Sequence, residues 1–163
     1  MSGPAGLAQA RRSAFAEQVR VESGIDEPMI ERLVRAFYDK AKVDDLLGPV
    51  FAAAISDWEP HLQTMFAFWS SVALMSGRYH GSPMTKHADH EIDSRHFDRW
   101  LTLFCETARE ACPPLAAERF ASHAGRIGES LELRIAAQNG VILEPGERYV
   151  RKGDAPSLET GPP

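Results

Sequence analysis

A chain of 163 residues and 18.0 kDa is long enough to bury one sizeable core and too short for two ordinary domains. Its 18 Lys and Arg against 23 Asp and Glu give a formal net charge of −5, which disfavours nucleic acid and anionic membranes as partners. With 44% hydrophobic and 25% charged residues, the composition excludes disordered, collagen-like and low-complexity classes.

From Leu7 to Val21 the pattern is weakly helical, and Ser23-Gly24 breaks it. Residues 1–24 are read as an N-terminal extension containing a short helix. The run Arg11-Arg12-Ser13-Ala14-Phe15 is followed by Glu17, Arg20 and Glu22 where an export signal would need apolar residues. No targeting segment is therefore expected, and the predicted location is cytoplasmic.

Asp26 with Pro28 reads as an N-cap with proline in the first turn. Met29, Ile30, Leu33, Val34, Phe37 and Tyr38 then recur at spacings of three and four, which points Tyr38 inward. Leu46-Leu47-Gly48-Pro49 stops that helix, and residues 50–55 form a short helical piece anchored by Phe51.

Ser56-Asp57-Trp58-Glu59 matches a capping box for the next helix. On it His61, Met65, Phe68 and Val72 share one face, while Leu62, Phe66, Trp69 and Ala73 form the adjoining one. The charge-free stretch from Pro60 to Gly77 includes Gln63, Thr64, Ser70, Ser71 and Ser76. It falls short of the ~20 apolar residues that span a bilayer and reads as a core helix, so no membrane partner is expected.

Gly77 ends that helix, and Gly81, Ser82 and Pro83 mark a loop. Asp93 or Ser94 caps a helix with Phe97, Trp100, Leu101, Phe104 and Ala108 on one stripe, ended by Pro113-Pro114. Cys105 and Cys112 fall within or just beyond this pattern as small apolar residues, which is no disulfide framework and suits a reducing compartment. A last helix from about Leu115 to Asn139 turns Phe120, Ala124, Ile127, Leu131 and Ile135 inward. Asn139-Gly140 stops it, and residues 140–163, with four prolines and little periodicity, read as a flexible tail. No period-two alternation is sustained, so the predicted class is all-α with five or six helices.

Eleven of the fourteen aromatic residues lie between Phe37 and Phe104. Aromatic residues are efficient core filler, so composition alone does not assign them a cofactor. A lone inward histidine is ordinarily a hydrogen-bonded core residue. Here two, His61 and His87, are separated by most of one helix, and Tyr38 and Trp100 point to the same interior. Such a pair can face a flat object held between helices.

Seven pieces occur in order: Phe37-Tyr38, Leu47-Gly48-Pro49-x-Phe51, Trp58-x-x-His61, Phe68-Trp69-Ser70-Ser71, Gly77-Arg78-Tyr79, Pro83-x-x-x-His87 and Phe97-x-x-Trp100-Leu101-x-x-Phe104. In this order and spacing, over about residues 25 to 138, the chain resembles the group III truncated hemoglobins, and the absence of any Gly-Gly pair agrees with that group. The resemblance implies a shortened globin fold, a two-on-two helical sandwich around a heme pocket, spanning residues 25–139. It implies heme b as cofactor, with His87 as the proximal iron ligand.

By the same resemblance Tyr38 and Trp100 are distal hydrogen-bond donors to a bound diatomic ligand, and His61 lies over the iron or swings as a gate. Phe51, Met65 and Phe68 line the ring, and Arg78 and Lys86 pair with the propionates. Dioxygen, nitric oxide or carbon monoxide is then the expected ligand. Strong donors slow ligand release, which favours scavenging, sensing, or nitric oxide and peroxide chemistry over bulk oxygen transport. The chain has no G-x-G-x-x-G nucleotide motif, so a nitric oxide dioxygenase or peroxidase-like activity would need a separate reductase.

The stretch from His87 to Asp93 departs from the family by being polar where an apolar, proline-bearing segment is usual. It leaves a rival reading open: His87, His90 and His96 with Asp89, Glu91 and Asp93 are ligand types for zinc or another divalent ion in a non-heme metal or interaction module.

Overall fold

The computed structural model describes residues 3–81 and 91–151. These form six helices and, among the described residues, no strand: α1 (Pro4–Ser23), α2 (Glu27–Ala41), α3 (Leu47–Ala54), α4 (Trp58–Leu74), α5 (Ser94–Ala111) and α6 (Pro114–Gln138). None is long and apolar enough to cross a membrane.

The N-terminal extension is a 20-residue helix rather than a short one. Only Val19 and Ser23 of α1 are buried, and its weak stripe explains why the sequence signalled it faintly. Gly24 closes it at φ 78°, a left-handed turn that glycine adopts without strain, and delivers Ile25 to the core. Arg119 in α6 reaches back to Glu22 at 2.7 Å.

Helix α2 begins as the sequence predicts, with the Asp26 carboxylate accepting from the Met29 N–H at 3.0 Å and Pro28 in the first turn. Its stripe from Met29 through Tyr38 to Ala41 is buried against α4 and α5. Helix α4 starts without its expected capping box, because Asp57 is the N-cap and makes no side-chain cap bond. Glu59 instead turns outward to Arg35 of α2, at 2.9 Å, and accepts from Gln63. A long-range ion pair outcompetes the local cap.

Helices α5 and α6 run together and complete the core. Its centre is aromatic: Phe104 stacks on Trp69 at 4.7 Å between centroids and on Trp100 at 5.6 Å, with Phe37 edge-on at 5.6 Å. Such pairs add about 0.5–1.5 kcal/mol each beyond area burial.

The expectation of a flexible tail from residue 140 is corrected for residues 141–151. Tyr149 is buried beside Ile92, Phe97, Leu131 and Ile135. Its N–H donates to Glu132 at 2.9 Å and its C=O accepts from the Ser94 N–H at 2.8 Å. Arg148 binds both Glu132 and Asp98, and those carboxylates hold its guanidinium even more firmly protonated than usual. The segment is a strap fixed by long-range polar pairs, which leave no periodic trace in sequence. Residues 152–163 lie outside the described residues.

Candidate functional site

A cavity of about 190 Å³ opens between α2, α3, α4, α5 and α6. Native interiors hold few voids larger than a water molecule. Here the protein's own side chains leave a mainly apolar space unfilled. Sequence that maintains it is shaped for an occupant.

The two faces of α4 divide the work. Leu62, Phe66 and Ala73 are buried in the core, whereas His61, Met65 and Phe68 line the cavity, as do Phe51 of α3 and Trp100 of α5. Phe51 packs edge-on to Tyr38 at 5.4 Å.

The polar groups are few and placed. The Tyr38 hydroxyl and His61 Nε2 are 3.1 Å apart, within hydrogen-bond distance. Burial pushes the Tyr38 phenol far above its ordinary range, so it keeps its proton and remains a donor at any physiological pH. Trp100 is held flat against Phe104, with Phe37 edge-on at 6.3 Å.

Tyr79 carries the one buried side-chain polar atom without a hydrogen-bond partner among the described residues, its hydroxyl. Its ring stands edge-on to Phe68 at 5.3 Å and lines the cavity, and its N–H donates to Ser71 Oγ at 2.9 Å. A Cβ at position 81 would meet that hydroxyl at 2.5 Å, so a larger residue there would push the Tyr79 ring aside. An unpaired buried hydroxyl costs about 1–3 kcal/mol, a deficit that a polar edge of an occupant would remove.

His96 also lines the cavity, and its Nδ1 accepts from the Asp93 N–H at 3.2 Å. Burial works to raise the Asp93 pKa, but hydrogen bonds from the Arg95 side chain, the Arg95 N–H and the Arg151 N–H win, and the net shift is downward. Asp93 and His96 thus form the cap of α5. No group of three or more metal-ligating side chains occurs among the described residues.

Arg78 is half-exposed, bound to Glu27 at 2.6 Å, and is not among the cavity-lining residues. Lys86 and His87, with Asp89 and His90, lie outside the described residues.

No family model matches the chain. A group 3 truncated hemoglobin of Campylobacter jejuni is 35% identical over 88 residues, covering 51% of this chain and 69% of that relative. The chain belongs to the group III truncated hemoglobins. The crystal structure of a group III truncated hemoglobin from Campylobacter jejuni superposes with a TM-score of 0.63 at 28% identity, covering 76% of this chain and 95% of that one. The chain is therefore a heme-binding globin by family, with the all-α globin-like fold.

The residues present fit that group. A truncated hemoglobin needs an apolar slot for a flat ring and a polar partner at its edge. The apolar lining meets the first need, and the unpaired Tyr79 hydroxyl beside Gly81 meets the second. Tyr79 and Trp58 stand in the motifs that signalled the family, yet periodicity gave them no role. His96 was legible only as a metal candidate, because a cap that also faces a cavity has the same sequence as a solvated loop.

Proposed function

We propose that the chain binds heme b through His87 and uses Tyr38, His61 and Trp100 to hold a diatomic ligand, dioxygen or nitric oxide. Bound heme supplies an iron that accepts such a ligand. The observation that carries the reading is the Tyr38 hydroxyl within 3.1 Å of His61 Nε2 at the wall of an apolar cavity.

The phenol O–H and the indole N–H of Trp100 are fixed dipoles in a water-poor site, where stabilising developing negative charge requires no reorganisation. Phe51, Met65 and Phe68 line the cavity and would exclude water from a bound ring. Tyr79 and, on sequence grounds, Lys86 serve the propionate edge. Arg78, the other propionate partner implied by the resemblance, is engaged by Glu27. A neutral imidazole, the form in which histidine ligates a metal, suits His87 to iron ligation.

Each hydrogen bond to a charged acceptor is worth about 1.5–3 kcal/mol, so two donors slow ligand escape and make bulk transport a poor use of the site. Scavenging, sensing, or nitric oxide and peroxide chemistry with electrons from a separate reductase fits better. His87→Ala should leave a folded, heme-poor chain, read by heme content after reconstitution. Native heme affinity in that variant would overturn the assignment.

A further inference from the structure

Trp58, the first residue of α4, is absent from the cavity lining yet touches both members of the polar pair. Its ring centroid is 5.7 Å from that of Tyr38 and 6.1 Å from that of His61. The three rings are mutually edge-on, with interplanar angles of 64°, 89° and 86°. Each ring thus packs against the other two. On its other side Trp58 carries the Lys42 ammonium, 4.3 Å from its ring centroid. Lys42 is the C-cap of α2, so this contact and the Arg35–Glu59 pair tie α2 to the first turn of α4, next to the Tyr38–His61 bond.

The direction of that bond decides what the pair offers. When His61 Nε2 accepts, the phenol proton is committed to the imidazole. When Nε2–H donates to the phenol oxygen, the Tyr38 O–H is available to the cavity. Either direction fits the 3.1 Å separation, and both depend on the two rings keeping their places.

We propose that Trp58, in contact with Lys42, is a positioning residue that holds the Tyr38 and His61 rings in register and so keeps the Tyr38 hydroxyl placed for the bound ligand. The inference rests on the heme reading above. Trp58→Leu is expected to speed dioxygen dissociation about tenfold, the equivalent of one weakened hydrogen bond to a charged acceptor. Trp58→Phe, which keeps a ring, should stay within about twofold of native. Lys42→Met should give about two- to fivefold, the range of an exposed cation–π contact.

The decisive test is a double-mutant cycle on the reconstituted ferrous protein. In a Tyr38→Phe background, Trp58→Leu should add nothing, because its whole effect passes through the phenol. The same variants are read in the carbon monoxide form, where Trp58→Leu should split the C–O stretching band and shift the His61 ring ¹⁵N resonances.

Equal effects of Trp58→Leu in both backgrounds, or a native rate with a single unshifted band, would overturn the proposal. If Trp58→Leu does not fold, Lys42→Met carries the test, and a native rate there overturns it. A chain that takes up no heme shows no Soret band before any rate is measured, which overturns the heme reading and this inference with it. A heme-loaded chain with additive effects overturns this inference alone.

Discussion

The Tyr38 hydroxyl and His61 Nε2 meet at 3.1 Å across the junction of α2 and α4, and burial keeps the phenol protonated. A donor is thus placed in a cavity whose lining is mainly apolar. Tyr38→Phe removes it at nearly constant volume. Dioxygen dissociation, followed by stopped-flow, should accelerate about 10- to 100-fold, the equivalent of about 1.5–3 kcal/mol.

Phe104 is 1% exposed and bridges Trp69, Trp100 and Phe37. Phe104→Ala opens a hole at the centre of the aromatic core, and chemical denaturation should show a loss of about 3–5 kcal/mol. Phe104→Leu should lose less, since most of the volume remains.

Asp93 is fully buried, caps α5 and has a depressed pKa in the folded chain. A carboxyl whose folded pKa lies below its unfolded value contributes stability above the unfolded value, about 3.9, and loses it as pH falls through the folded one. The native chain should therefore lose stability with falling pH below about 4. Asp93→Asn should lack this contribution at pH 7 and show a flatter acid limb in denaturation at stepped pH.

Tyr149 and Arg148 fix the strap against α5 and α6, where Glu132 is buried and also receives the Tyr149 N–H. Tyr149→Ala should cost about 3 kcal/mol by cavity formation. It should also quicken hemin loss to an apoglobin acceptor, because Ile92 and Phe97 belong both to the strap's cluster and to the cavity wall.

The helices were legible where burial repeats at the helical period. The Met29-to-Tyr38 stripe, the two faces of α4 and the inward residues of α6 all stand where spacing placed them. Tyr38 and His61 could be read as inward one at a time, but their pairing depends on how α2 meets α4, which no local pattern encodes. The Ser56–Glu59 signal misled because Arg35, 24 residues upstream of Glu59, binds that carboxylate. The strap escaped notice for a related reason: Arg148 and Tyr149 draw their partners from α5 and α6, so the segment carries no period of its own. The Tyr79 hydroxyl and the Gly81 contact likewise exist only in three dimensions.

The proposal that His87 ligates heme iron and Tyr38 serves the bound ligand is tested most directly by absorption spectra of the hemin-reconstituted chain in ferric, ferrous and ferrous carbon monoxide forms. A Soret band with a five-coordinate ferrous spectrum that converts to a low-spin carbon monoxide adduct is the expected result. No Soret band after reconstitution, or full retention of it in His87→Ala, would contradict it.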